Sequence, residues 1–153
     1  MGEARSGRKF RALALERGRS YHGLTEQERG EALVRVNIGS VADIEKAGRK
    51  VVAVGEAEVG VFSVKGKLVA WRNECPHMGG PVCQGGLFKR VIELLDAEMR
   101  ETRQDQHPED VNIVCPWHGV EFDLVTGQAP PDPRLRLTAA RLDIVDGNVW
   151  LDV

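Results

Sequence analysis

Two short boxes constrain this 153-residue chain more than anything else in it: Cys75-Pro76-His77-Met78-Gly79-Gly80 and Cys115-Pro116-Trp117-His118-Gly119. Each offers one soft thiolate and one imidazole, so together they supply two sulfur and two nitrogen donors. Such a set suits zinc or an iron–sulfur centre. Any fold that uses all four must bring two separate loops to one small volume. Gly79, Gly80, Gly85, Gly86 and Gly119 let backbone approach closely and aim N–H groups at a buried anion, as thiolate and sulfide sulfurs are. Pro76 and Pro116 restrict φ and stiffen the loops between donors.

Cysteine usage agrees with a metal. The three cysteines, Cys75, Cys83 and Cys115, are odd in number and widely spaced, a poor disulfide framework. Cysteines beside histidines in a cytosolic chain more often mean a metal site. A zinc module would usually pair Cys with Cys and His with His at short spacing, whereas each box here mixes the two donors.

The boxes sit in a chain that reads as β. Val34–Ile38 alternates like a strand, and Ser40-Val-Ala-Asp43 with Gly48 suggests one helical turn after it. Lys50–Val54, Val59–Val64 and Leu68–Arg72 are strand-like, with Lys65-Gly66 a two-residue hairpin turn. Ala139–Val145 and Val149–Val153 flank Asp146-Gly147-Asn148, a second hairpin signal. Short strands at this spacing predict a small antiparallel β-sandwich or barrel. One segment departs from the pattern. Phe88, Val91, Ile92, Leu95 and Met99 fall at helical spacing, so about 88–103 reads as an amphipathic helix laid over the β-core. Residues 88–110 carry a net charge of −3, leaving a partner-facing acidic surface as the other use of that helix.

The composition, 42% hydrophobic and 29% charged, is that of an ordinary folded chain, and no apolar run approaches a membrane span. The N-terminus does not read as a secretory signal, so the cytoplasm is the expected location. Charge is uneven: net −2 overall, but +3 within residues 1–30. That arm holds a short helix at Phe10–Arg17 and a capping-box pattern, Thr25-x-x-Glu28, before a second. A solvated extension accounts for it; a docking arm for an acidic partner is the alternative. Without aromatic interleaving no nucleic-acid partner is expected, and without a long apolar run no membrane is.

C-x-H followed by C-x-x-H, in the forms CPHMGG and CPWHG, resembles the Rieske family. The resemblance runs from about Leu33 to Val153 and includes Phe122-Asp123 and Thr126-Gly127. It implies a Rieske domain at 33–153 with one [2Fe–2S] cluster, which leaves the basic arm at 1–32 outside the domain and makes the helical segment at 88–110 an insertion within it. In that family one iron takes the two cysteines and the other the two histidines, so Cys75 and Cys115 would hold one iron, His77 and His118 the other. Two departures stand out. From His77 to Cys115 is 38 positions, longer than is common, with 88–110 as the insertion. Cys83 meets Trp117 where respiratory members carry a second loop cysteine, so it is expected as a small packed side chain.

The resemblance further implies one-electron transfer. Val120 and Phe122 stand where respiratory members place hydroxyl donors, so a potential low in the family window of about −150 to +300 mV is expected. Exposed histidine ligands would make that potential fall with pH in the alkaline range. An oxygenase's second iron needs two further histidines and a carboxylate. His22 and His107, read as surface residues, do not supply it, and no Gly-rich dinucleotide motif marks a reductase. The expected role is a Rieske-type ferredoxin, a component rather than a stand-alone enzyme, linking a reductase to a terminal oxygenase. The small subunit of an assimilatory nitrite reductase, working with its large subunit, fits almost as well. A cluster-bearing regulatory or interaction module is the third reading.

Overall fold

The computed structural model describes residues 34–152. The arm at 1–32, its two expected helices and His22 lie outside the described residues. The first strand, β1 (Arg35–Ser40), ends on Ser40, whose hydroxyl accepts the Asp43 N–H at 3.1 Å and caps α1 (Val41–Ala47). Gly48, at φ +78°, closes that helix by donating to the Ile44 and Glu45 carbonyls. The helix buries Val41 and Ile44, so the expected turn is there and it packs inward.

Next come β2 (Arg49–Val54), β3 (Ala57–Val64) and β4 (Lys67–Arg72), an antiparallel meander. The Lys65-Gly66 turn has positive φ at both residues, +51° and +70°, the geometry that matches strand twist in a two-residue hairpin. Asp146-Gly147 repeats it, at +49° and +75°, between β10 (Arg141–Val145) and β11 (Asn148–Asp152). The strand expected from Ala139 starts two residues later, because Ala139 forms only an isolated bridge to Trp71. Sheet order β1-β11-β10 makes one layer and β2-β3-β4 another.

The second of these sheets is buried on both sides. Along β3, Val59 and Val61 face a core shared with Ile38, Ile44, Leu68, Ala70 and Leu151. Phe62 and Val64 face the other core, with Val69, Trp71, Val82, Ile113 and Phe122. Double-sided burial explains why these strands read as almost unbroken apolar runs rather than as alternation. Cys75 and Cys115 belong to the second core, which places the candidate site at its edge.

The third sheet, β5 (Gly86–Leu95), β6 (Glu101–Val114) and β7 (Glu121–Asp123), corrects the sequence reading. Residues 88–103 are not a helix, and the 88–110 insertion is a β-hairpin. Pairing starts at Gly86↔Val114, next to the buried Gly85 and Cys115, and runs out to Leu95↔Glu101. Asp96 turns the chain: its carboxylate accepts the Glu98 and Arg100 N–H groups at 3.0 and 2.9 Å. A helix there would have to bury Phe88, Val91, Leu95 and Met99, yet Phe88 is 59% and Met99 75% exposed. The ladder satisfies the backbone through residues far along the chain, a gain that local spacing does not register. Across the hairpin's base a bulge in β6 sets Asp110 beside Arg90 and Lys65, at 3.7 and 3.5 Å. His107, half-buried, accepts the Asp110 N–H on Nδ1. A small ribbon, β8 (Gln128–Ala129) and β9 (Asp132–Arg136), completes the antiparallel all-β fold.

Candidate metal centre

The two boxes form two loops built on one pattern. In the first, Cys75 N–H donates to Gly80 O at 2.8 Å and Gly79 N–H to Cys75 O at 2.7 Å. In the second, Cys115 N–H donates to Val120 O at 2.9 Å and Gly119 N–H to Cys115 O at 3.0 Å. Each loop turns through a glycine at positive φ, +75° at Gly79 and +70° at Gly119, which is why glycine stands at both. The pattern points each cysteine into the core and holds the next three residues at the surface: Cys75 and Cys115 are buried, His77, Met78, Trp117 and His118 exposed. His77 sits two places after its cysteine and His118 three, yet their rings meet edge to face with centroids 5.0 Å apart. Trp117 flanks His118 at 6.3 Å.

The loops also pack on one another. Gly85 lies so close to Val114 that a Cβ there would fall 1.9 Å from the Val114 carbonyl oxygen. At Gly80 a Cβ would stand 3.0 Å from both Cys115 Sγ and the Trp117 ring. The missing side chain at Gly80 is thus the room that Cys115 and Trp117 occupy.

Burial raises the Cys75 thiol above its usual pKa, while the backbone N–H groups of His77 and Met78 at the sulfur lower it, and the adjacent Cys115 thiol raises it again. The backbone N–H groups at Cys75 are the donors that an anionic sulfur needs. The four candidate donors therefore stand as an inner sulfur pair and an outer nitrogen pair. Among the described residues no three His, Cys, Asp or Glu side chains surround a single ion position. This division, with N–H groups aimed at sulfur and a glycine cradle beside it, fits a [2Fe–2S] group.

Several supporting residues carried no signal in the sequence. Arg49, from β2, donates to the carbonyls of Cys83 and Gly85. Asn73 accepts the Cys83 N–H at 2.7 Å and is itself anchored on Glu58, by its amide at 2.8 Å. Cys83, fully buried, packs over Gly60, where a Cβ would come within 2.6 Å of it. It is a free thiol, as expected of a packed side chain, and burial pushes its pKa up to about 12. Past the second box, Asp123 caps a turn by accepting the Val125 and Thr126 N–H groups, at 3.1 and 2.6 Å. Gly127, at φ +72°, leaves space that the Trp71 ring fills. These contacts give Phe122-Asp123 and Thr126-Gly127 a structural reason.

The chain is 32% identical over 104 residues to a human (Homo sapiens) Rieske domain-containing protein, an alignment covering 64% of this chain and 55% of that one. It thus spans about half the length of that relative. Among solved structures, it is similar to a protein assigned as an NADH-dependent nitrite reductase small subunit from Mycobacterium tuberculosis, with TM-score 0.56 and 15% identity over 80% of this chain and 97% of that one. It is also similar to the ferredoxin of carbazole 1,9a-dioxygenase from Nocardioides aromaticivorans IC177, with TM-score 0.51 and 20% identity over 77% and 96%. At these identities the likeness is one of fold. The Rieske [2Fe-2S] domain model matches residues 34–140, so the chain belongs to the Rieske family and carries the one [2Fe–2S] cluster that membership implies.

Proposed function

We propose that this chain is a single-electron carrier in which Cys75 and Cys115 hold one iron and His77 and His118 the other. The observation behind this reading is the placement of the donors: thiols buried in the core, imidazoles at the surface and only 5.0 Å apart. When bound, the cluster supplies a one-electron couple within the family window of about −150 to +300 mV. The rest is the protein's work. The buried thiols and their backbone donors keep the sulfur end dry, while the exposed imidazole edge lets a partner approach closely. Val120 and Phe122 offer no side-chain donor to the centre, and Phe122 is fully buried in the core. A potential in the lower part of the window follows from that lack.

A reductase would supply the electron and a terminal oxygenase would take it, in the cytoplasm. No helix among the described residues is long and apolar enough to cross a membrane. The likeness to a nitrite reductase small subunit supports the second reading, delivery to that enzyme's large subunit. Electron paramagnetic resonance of the dithionite-reduced protein, with iron and zinc assayed on the same sample, tests the centre. A rhombic signal of low average g with two irons per chain supports it; a silent sample with one zinc per chain overturns it. Rapid oxidation of the reduced protein by an oxygenase, rather than by a nitrite reductase, then separates the two acceptors. Failure with both favours a regulatory module.

A further inference from the structure

The hairpin that replaces the expected helix has an open side. Sheet order β5-β6-β7 leaves one edge of β5 without a neighbouring strand among the described residues. A ten-residue edge of this kind, carrying apolar side chains, is a template for pairing unless something covers it. Along β5 the odd-numbered residues share one face: Leu87, Lys89, Val91, Glu93 and Leu95. All five are exposed, with Leu87 at 40%, Val91 at 60% and Leu95 at 47%. Among the described residues, Lys89 and Glu93 enter no ion pair.

We infer that the occupant of this edge is β5 of a second copy, paired antiparallel about a two-fold axis at Val91. Centred there, the strand is complementary to itself. Val91 faces the partner's Val91, Leu87 faces the partner's Leu95, and Lys89 faces the partner's Glu93, each of the last two pairs occurring twice. Apolar groups meet apolar groups and opposite charges meet, the combinations that stabilise cross-strand pairs. Slipping the register by two residues either way sets Val91 against Lys89 or against Glu93 and loses every match. The sequence thus selects one register, and the axis makes the contact close on itself as an isologous dimer. Two three-stranded sheets become one six-stranded sheet, a common size. The inference does not depend on which protein accepts the electron.

Sedimentation velocity on the full-length holoprotein over the micromolar range tests it, with the visible spectrum as a check that the cluster and fold persist. The wild type should sediment as a dimer. Val91→Lys, at an exposed position, should give a monomer with an unchanged spectrum. Lys89→Glu and Glu93→Lys should each raise the dissociation constant about tenfold, through two like-charge pairs per dimer. The double variant Lys89→Glu/Glu93→Lys should restore it. Cα spacing across an antiparallel pair, about 4.5–5.5 Å, is within disulfide reach. Val91→Cys should therefore cross-link on mild oxidation, and Met99→Cys, at the hairpin tip, should not. A wild type that is monomeric throughout overturns the inference, whether residues 1–33 or a different protein covers the edge. So does a dimer that survives Val91→Lys, or a charge swap that fails to restore pairing.

Discussion

The two cysteine loops share a backbone plan but not a means of support. The loop at 115–120 closes between β6 and β7, whose ladder continues through Val114↔Glu121 at its base. It is a hairpin, and strand pairing alone fixes where it starts and ends. The loop at 75–80 leaves β4 in one sheet and reaches β5 in another, so no ladder spans its base. Side chains do that work instead: Arg49 holds the Cys83 and Gly85 carbonyls, Asn73 the Cys83 N–H, and a 3-10 turn at Val82–Gln84 bridges the gap. One local geometry can thus be imposed from the sheet or from scattered polar contacts, and only the first is robust to single substitutions.

The largest expected effect ignores this difference. On the proposed ligand set each loop gives one sulfur and one nitrogen, so Cys75→Ser, Cys115→Ser, His77→Ala and His118→Ala should all abolish the native visible and paramagnetic spectra. A variant that kept the wild-type spectrum would remove that residue from the ligand set. Next in size are substitutions that separate the loops. Asn73→Ala strands the part-buried Cys83 N–H, a loss of about 1–3 kcal/mol. Arg49→Ala removes charged hydrogen bonds of a similar worth, about 1.5–3 kcal/mol. Both should lower the urea midpoint and speed cluster loss, with the damage confined to the first loop. Protease cutting or hydrogen exchange should rise at 79–86 and not at 115–120. Equal loosening of both loops would mean that Gly85 against Val114 couples them more tightly than their separate supports suggest.

A smaller effect should be the same in both loops. Gly79 and Gly119 adopt positive φ with nothing within 4 Å of an added Cβ, so alanine at either meets strain from backbone conformation alone. The cost should be about 1–2 kcal/mol at each site. Gly80→Ala is the contrast, because its Cβ would press on Cys115 Sγ and Trp117 and carry the damage across to the second loop. Thermal or urea unfolding of the three variants, with the cluster spectrum recorded alongside, checks both expectations.

What the sequence made legible divides along the same line. The two cysteine–histidine boxes, the helical turn after Ser40 and the hairpins at Lys65-Gly66 and Asp146-Gly147 are set by residues adjacent in the chain, and each is legible there. The 88–103 segment was misread because its apolar spacing suits either period, and the deciding hydrogen bonds join Gly86–Leu95 to Glu101–Val114. Nothing in the residues around Arg49 or Asn73 marks either as a support for the site. Arg49 gains its role only when the fold brings β2 to Cys83 and Gly85, more than thirty residues along the chain, and Asn73 gains its role only when the chain folds back on it at Cys83.

Cys83 gives the smallest effect at neutral pH. Its thiol lies over Gly60 and points at the Trp71 and Arg72 carbonyls, at 3.5 and 3.7 Å. Serine keeps a donor there and is of similar size, so Cys83→Ser should leave the cluster in place and change stability by about 1 kcal/mol or less. At high pH the two proteins should part. The folded thiol titrates near 12 against an ordinary 9.0. Between those values the unfolded chain has lost the proton and the folded chain retains it. Stability should therefore be complete below pH 9 and fall as pH rises toward 12, by up to about 1.4 kcal/mol per pH unit from this group. Cys83→Ser lacks that slope. Urea midpoints measured for both proteins across the alkaline range should diverge with pH, the variant's curve being the flatter. Parallel curves would mean that Cys83 ionises in the folded protein about as readily as in the unfolded one, so that its dry packing against Gly60 is looser than the structure draws it.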